Sequence, residues 1–416
     1  MLNDRYVRAH PEEVRAGLER RHAGDEALLA LDQWLAVDAR RREAAAQRDA
    51  FAAAAREAGS DGSATRAARQ ERDAVEATLL ALERQARDLL SRIPNLPDAR
   101  VPNGEERAQN VEMRRWGNSR EFDFAPRPHD ELAAALGILD LPRATRLSGP
   151  RFPLLIGAGA RLARALAAYM LDQHAQRGYT EVAPPHLLRR ETMEGTAHLP
   201  HFEGELYAIE GERLYLSPTA EAQLVALRAG ETLAEADLPL TYTACAPAFR
   251  REAGSAGAGG RGLIRQHQFD KVELVRVTTP EDADAAFDTI LADAEALLRA
   301  LELPYRVVAL CGGELPFSAA RTWDLEVWMA AQRRWVEISS VSDCGTFQAR
   351  RLALRYRPSS GGRAQYVATL NGSALPIGRT LAALLEQGQR ADGSVILPAA
   401  LRPYFPAGAL VPPALT

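Results

Sequence analysis

Lysine is nearly missing from this chain. Of its 51 basic residues only Lys271 is a lysine, and the other 50 are arginine. Coding bias in a GC-rich genome accounts for a general skew of this kind, and it makes the one retained lysine a position to follow. Cysteine is scarce as well: Cys245, Cys311 and Cys344 lie far apart and form no CxxC pair. That excludes a disulfide framework, gives no reason to expect zinc, and fits a reducing, cytoplasmic setting. No stretch approaches the ~18 apolar residues that a membrane-spanning helix needs, so no membrane association is expected. The opening residues Met1-Leu2-Asn3-Asp4-Arg5 bring charge at once with no apolar run behind them, so no signal peptide is expected. Nor is there an excess of positive charge. At a net charge of −4, a phosphate-backbone partner must be met by a local basic stripe and not by the field of the whole chain.

What is present is ordinary for a globular protein: 46% hydrophobic and 25% charged residues. That composition excludes a disordered or collagen-like chain. A length of 416 residues suggests two or three domains at roughly 100–200 residues each.

The first hundred residues read as helical. His10-Pro11-Glu12-Glu13 places a proline and acids at a helix start, as the helix dipole favours. From Glu26 to Ala58 the chain is rich in Ala, Arg, Glu and Leu without proline. Gly59-Ser60-Asp61-Gly62-Ser63 breaks it, and a second helix is expected over Ala64–Arg92. There Val75, Leu79, Leu82, Ala86, Leu89 and Ile93 follow a 4-3-4-3-4 spacing, the seam of a coiled coil. Two such helices of ~30 residues form an antiparallel hairpin ~45 Å long, too thin to bury much by itself and suited to contacting a partner. Ile93-Pro94-Asn95-Leu96-Pro97 ends it. The expected division is a helical arm over 1–100, a linker over 101–130 rich in Pro, Asn and Gly, and a catalytic domain over 131–416 with a loose tail after about Tyr404. Within that domain short β-like runs (Tyr179–Val182, Leu214–Leu216, Phe269–Val277, Tyr305–Leu310, Trp335–Ser339) alternate with helices. The pattern argues α+β with a mainly antiparallel sheet.

Four segments carry chemistry. Phe249-Arg250-Arg251-Glu252 puts arginines at a strand end before a small-residue loop, where a guanidinium can grip a phosphate bidentately. Arg265-Gln266-His267-Gln268-Phe269-Asp270-Lys271-Val272-Glu273 is densely polar before it enters an apolar strand. In Trp335-Val336-Glu337-Ile338-Ser339-Ser340, Glu337 and Ser339 are expected on one strand face and Ser340 at the start of a turn. A carboxylate with a nearby hydroxyl can hold Mg²⁺ beside phosphate oxygens. Thr369-Leu370-Asn371-Gly372-Ser373 then reads as a Gly-rich turn feeding Gly378-Arg379-Thr380 and a helix, again suited to an anion.

Together these segments resemble the seryl-tRNA synthetase family of class II aminoacyl-tRNA synthetases, over residues 1 to about 404. The arm, the Ile93–Pro97 link and Arg114-Arg115-Trp116-Gly117 share in the resemblance. Gly178-Tyr179-Thr180-Glu181-Val182 with Pro184-Pro185 resembles class II motif 1, Phe249–Glu273 motif 2, and Gly378-Arg379-Thr380 motif 3. Pro218-Thr219-Ala220-Glu221 and Gln266–Glu273 are similar to the family's serine-site motifs. The resemblance implies a class II antiparallel sheet flanked by helices and an N-terminal coiled-coil arm. It implies ATP-dependent ligation of L-serine to tRNA(Ser) through seryl-adenylate, with Mg²⁺. It implies as catalytic residues Arg250 on the α-phosphate, Arg379 on the γ-phosphate, and Glu252 on the adenine amino group. Phe269 would stack on adenine, and Arg251, Gln266, Ile338 and Ser339 complete the ATP set. Glu337 and Ser340 would position Mg²⁺. Thr219 and Glu221 would receive the serine ammonium. Glu273 would accept from its hydroxyl with Thr369, Asn371 and Ser373, and Arg250 belongs to the serine set too. The arm would read tRNA(Ser) by shape and backbone, through a stripe such as Arg40, Arg41, Arg48, Arg66, Arg69 and Arg72. A homodimer would form around Gly178–Pro185.

The sequence departs from the family pattern at Arg251, Ala256–Gly260, Ala368, Ala374, Val341, Asp343 and the Ala197-His198 pair, where Gly-Gln is usual. These departures are expected to cluster around the pocket and the tRNA acceptor end, leaving adenylate formation normal and transfer weaker. The alternatives are a specialised isoform for antibiotic biosynthesis or self-resistance, and a non-catalytic RNA-binding paralogue.

Overall fold

Two long helices make up most of the first ninety-odd residues. In the computed structural model, which describes residues 1–57, 62–252 and 260–413, the chain divides into two compact units, Met1–Pro97 and Asp98–Thr416. The first unit holds helices Asp4–Ala9, Pro11–Arg20, Gly24–Glu57 and Gly62–Ser91. The heptad seam of the last helix is where it packs. Leu79, Leu82, Ala86 and Leu89 are buried, as are Ala27, Leu31, Trp34 and Val37 of its antiparallel partner. At the base of this hairpin, buried Asp38 accepts from Arg8 Nε at 2.6 Å and Arg41 Nη2 at 2.6 Å. Burial alone would raise the Asp38 carboxyl, but these two guanidinium groups outweigh it and hold it below the usual range.

The second unit is built on one eight-stranded sheet. In chain order its strands are β1 (Val111–Trp116), β2 (Thr180–Glu181), β3 (Leu240–Phe249) and β4 (Gln268–Thr278). They continue as β5 (Tyr305–Ala309), β6 (Arg321–Met329), β7 (Arg334–Asp343) and β8 (Ala368–Pro376). Their spatial order is β1-β5-β6-β7-β8-β4-β3-β2. Every pair is antiparallel except the edge pair β2–β3.

Strand period two sorts the side chains into two sets. Val272 and Leu274 of β4, Leu370 and Ala374 of β8, Val341 of β7 and Leu325 and Val327 of β6 share one core. Helices Ala158–Gln176, Ala283–Ala300 and Ile377–Gly388 cover it with Leu162, Leu166, Phe287, Ile290, Leu381 and Leu385. The alternating residues Lys271, Glu273, Asn371, Ser373, Ser340, Ser342, Thr322, Asp324 and Glu326 occupy the other face, in register. Ser373 lies opposite Glu273, Ser342 opposite Asn371, and Ser340 opposite Asp324.

Three expectations need correction. Residues 101–130 are not merely a linker, because Val111–Trp116 within them pairs with β5 as an edge strand. Its mostly exposed side chains gave no strong hydrophobic signal amid Pro, Asn and Gly. The tail is not loose directly after Tyr404. Phe405 and Leu410 are buried in the main core, and Ala409–Leu410 pairs with Val395–Ile396. Thr369–Ser373 is no turn but the interior of β8. Gly372 is there because a helix lies on it: a Cβ would come within 2.5 Å of Ile290 Cγ2. Gly372→Ala is therefore expected to lower stability by about 1–3 kcal/mol through overpacking. Ile290→Leu, which has no methyl branch at Cβ, should recover part of the loss. Thermal unfolding of the single and double variants checks this.

Candidate active site

The polar face of the sheet forms the floor of two connected cavities. One is lined by Arg250, Glu252, Gln266, Phe269, Glu337, Ile338 and Arg379. The other encloses about 1370 Å³, counting space open to solvent, and is lined by Thr219, Glu221, Glu273, Asn371, Ser373, Asp324 and Ser340. Arg250, Glu252, Lys271, Glu337 and Ser373 line both, so the two are one site with two ends.

Arg250 stands at their junction because β3 ends one residue before it. Its backbone N–H donates to His267 O at 2.9 Å, and His267 Nδ1 lies 3.0 Å from Arg250 O, which closes the hairpin across β3 and β4. Its guanidinium donates to Pro218 O at 3.2 Å and sits 5.4 Å from the Phe269 ring centroid, a cation–π distance. Glu252 pairs with Arg265 at 2.5 Å. Gln266 is buried with no partner for its Nε2 among the described residues, and it presses on Gly378, where a Cβ would approach that nitrogen to 2.9 Å. Arg379 opens the helix Ile377–Gly388 and donates to Ile264 O at 3.0 Å and Glu337 O at 2.7 Å. Two guanidinium groups, Arg250 and Arg379, thus line one cavity, and such groups can grip an anion.

The segment entering β4 is held from behind. His129 Nε2 accepts from Leu263 N–H at 3.1 Å, so its Nδ1 carries the proton toward Glu386 Oε1, 3.0 Å away. Burial opposes ionisation of Glu386, but bonds from His129 and Gln332 outweigh it and keep that carboxyl below the usual range. Arg379 and Glu386 lie on the same helix, so that helix is bonded directly to the backbone at Ile264 and, through His129, to that at Leu263.

At the other end, the chain's single lysine is central. Lys271 forms an ion pair with buried Glu273, which also accepts from Thr219 Oγ1 at 3.2 Å. Glu221 accepts from Gln348 Nε2 at 2.8 Å. Burial raises the pKa of both Glu221 and Glu273. Lys271 opposes the rise in each, while Glu221 adds to it in Glu273. A cation entering here is met by carboxylates that water does not solvate.

The structure brings together most of the residues singled out from sequence, but not all. Arg251 is exposed and lines neither cavity, and its backbone N–H donates to Glu205 O at 2.9 Å. Thr369 lies one layer back, donating to Gln348 Oε1 at 2.7 Å. A β-bulge in β7 between Glu337 and Ser339 overturns the expected strand face. It brings Glu337 and Ser340 onto the cavity together, while Ser339 lies opposite core residue Leu325 and donates to Ser373 O at 2.6 Å. Ser340 is inside β7 and not in a turn.

Of the departures from the family pattern, His198 lines the larger cavity, but most of the others lie away from it. Ala368, Ala374 and Val341 belong to the helix-covered core, Asp343 accepts from Gly345 N at 2.8 Å, and residues 253–259 lie outside the described residues. Sequence reasoning missed Asp324. It is buried across from Ser340 with Oδ1 unpartnered, and burial, then Glu337, hold its carboxyl well above the usual range. The signal was an Asp and a Glu alternating within the apolar run Trp323–Met329.

Among the described residues no helix is long and apolar enough to cross a membrane. The model of the tRNA synthetase class II core domain (G, H, P, S and T) matches residues 203–388. The serine–tRNA ligase of Acidithiobacillus ferrooxidans is 49% identical over 97% of this chain and 98% of its own. That of Pseudothermotoga lettingae is 45% identical over 97% and 99%. The crystal structure of seryl-tRNA synthetase from Pyrococcus horikoshii complexed with ATP superposes with a TM-score of 0.90 at 33% identity, covering 99% of this chain and 100% of that one. The cytoplasmic serine–tRNA ligase from Naegleria fowleri in complex with AMP gives 0.86 at 28%, covering 96% and 95%. With the class II sheet, the arm and the two-ended site all present, this chain belongs to the seryl-tRNA synthetase family.

Proposed function

We propose that this chain ligates L-serine to tRNA(Ser) through a seryl-adenylate, and that the two cavities are its serine and ATP ends. The observation that carries the reading is Arg250 at their junction. A serine carboxylate oxygen attacks the α-phosphorus of ATP, the new O–P bond forms, and the bond to pyrophosphate breaks. Charge grows on the α-phosphate oxygens in that transition state, and a preplaced guanidinium neutralises it. Phe269 offers a stacking face to adenine, and Glu252 an acceptor to its amino group once it leaves Arg265. Arg379 takes the γ-phosphate, while Gln266 and Ile338 shape the cavity wall. Arg251 belongs to the outer margin, and Ser339 supports the strand from behind.

At the serine end, Thr219 and Glu221 take the ammonium and Glu273 accepts from the hydroxyl beside Asn371 and Ser373. Thr369 acts through Gln348. Such a site rejects alanine because its buried polar groups would be left unpaired. A tRNA terminal hydroxyl then attacks the adenylate carbonyl and AMP leaves. The intact set of Arg250, Arg379 and Lys271–Glu273 supports a catalyst over a non-catalytic RNA-binding paralogue.

Among the described residues, no three His, Cys, Asp or Glu side chains are grouped to hold a metal by themselves. Two carboxylates and a hydroxyl, from Asp324, Glu337 and Ser340, do share one cavity wall, and the unpartnered, repelled Asp324 oxygen fits a hard cation. Mg²⁺ takes few protein ligands and completes its shell with phosphates and water. Bound there, it would neutralise phosphate charge. The arm would meet the tRNA backbone through Arg40, Arg66 and Arg69, which are exposed, more than through Arg41, Arg48 and Arg72, which hold carboxylates. β2 is the terminal strand of the sheet, so Gly178–Pro185 offers an edge to a second copy. The reaction places the protein in the cytoplasm.

Serine-dependent exchange of pyrophosphate into ATP tests the assignment, with threonine and alanine as poor substitutes. Arg250→Ala should reduce exchange about 100-fold or more; near-normal exchange in that variant would refute the role. Asp324→Asn should raise the Mg²⁺ concentration for half-maximal exchange several-fold, and an unchanged Mg²⁺ titration would remove Asp324 from the metal site. Deleting residues 26–93 and bridging the ends should leave exchange nearly intact while aminoacylation of tRNA falls steeply. Equal loss of both activities in a folded variant would show that the arm is part of the catalytic core.

A further inference from the structure

Among the polar groups of the serine-side cavity that this mechanism does not use is a histidine. His198 follows the helix Arg190–Gly195, and its ring lines the same cavity as Thr219, Glu221 and Glu273. The Thr196 hydroxyl has one proton and three acceptors in reach: Thr192 O at 3.1 Å, Met193 O at 3.5 Å and His198 Nδ1 at 3.0 Å. When that proton goes to Thr192 O, the hydroxyl oxygen accepts from Nδ1–H and Nε2 keeps a lone pair, and a donor arriving at Nε2 selects this tautomer. Among the described residues no donor is bonded to Nε2. Burial, and then the cations Arg250 and Lys271, push the imidazolium down to about 3, so the ring is neutral in any assay near neutral pH.

The cavity has a matching deficit. A protonated amine carries three N–H groups. Glu221 has one oxygen taken by Gln348, which leaves the other. Thr219 has its carbonyl taken by Ser217 Oγ at 2.7 Å and its hydroxyl proton given to Glu273, which leaves the hydroxyl oxygen. Glu273 uses Oε2 for Lys271 and Thr219, and its other oxygen is the acceptor for the substrate hydroxyl. Of the groups assigned to the ammonium, two acceptors remain for three protons. Gln348 Nε2 bridges Glu221 Oε1 and Thr196 O, at 2.8 and 3.2 Å, so the loop that carries His198 is tied to the carboxylate at this end.

We propose that His198 Nε2 is the third acceptor of the substrate's α-ammonium, beside Thr219 and Glu221, and so helps select an α-amino acid. The proposal rests on reading this cavity as the serine end. A neutral acceptor suits the position, because a third carboxylate would add another buried negative charge to Glu221 and Glu273.

The experiment is pyrophosphate exchange with KM measured separately for serine and ATP. His198→Ala should raise the serine KM roughly tenfold, as expected for a lost hydrogen bond to a charged group, and leave the ATP KM within about twofold. His198→Gln retains a neutral acceptor and should recover most of the loss, whereas His198→Lys should abolish exchange. Inhibition by 3-hydroxypropionate, which has the carboxylate and hydroxyl of serine without its ammonium, should be unchanged in His198→Ala. If serine and 3-hydroxypropionate weaken equally, or the serine KM does not move, the ammonium role is overturned while the serine reading stands. Failure of the unsubstituted protein to exchange with serine would instead remove the serine reading, and the proposal with it.

Discussion

A strand can serve a hydrophobic core on one side and a charged site on the other only while its period of two is kept. The second unit depends on that constraint. Val272 and Leu274 seal the helix-covered side, while Lys271 and Glu273, interleaved with them, build the other. A slip of one residue in β4 or β8 would drive Glu273 or Asn371 into the helices and turn core residues into the cavity. Ser340 facing Asp324 and Ser373 facing Glu273 follow from this register. The departure that bears on the site is in β7, where one extra residue at the bulge returns Glu337 to the site side. The bulge therefore re-aims a functional carboxylate, a common use of such irregularities.

The polar face concentrates charge where water is largely excluded. Glu273, Glu326 and Asp324 are all withdrawn from solvent, and each has a different answer. Lys271 pairs with Glu273, and Arg107 and Arg306 pair with Glu326. Asp324 has a hydroxyl neighbour and an orphan oxygen. Such an arrangement destabilises the empty fold relative to an apolar one. It matches a ligand set that carries an ammonium, a hydroxyl, phosphates and a divalent cation, for which the wall holds charged and polar partners already in place.

Much of this was legible in the sequence. The 4-3-4-3-4 spacing marked the arm seam, and alternation in Phe269–Val277 marked a site strand. The run from Phe249 to Glu273 was specific enough to suggest the family. What escaped reading depended on partners distant in sequence. Val111–Trp116 needs β5 to become a strand, and Gly372 looks like a turn until a helix is laid on it. Local spacing placed Ser339 beside Glu337, because a bulge is set by the neighbouring strand and not by the residues at the bulge. Thr369 was assigned directly to the pocket, whereas Gln348, from a segment with no motif of its own, stands between them.

The near-absence of lysine has a chemical consequence for a protein that handles an activated acyl group. Aminoacyl-adenylates acylate amines, whereas guanidinium groups stay protonated at physiological pH and are poor nucleophiles. Across 416 residues the ε-amine of Lys271 is the only side-chain amine, and it is buried against Glu273. An adenylate that escapes the site meets arginines in place of lysines, so outside the active site the enzyme has no lysine on which its own intermediate could leave a mark. For the same reason, an amine-directed label that reaches Lys271 reports on the floor of the active site and on no other lysine.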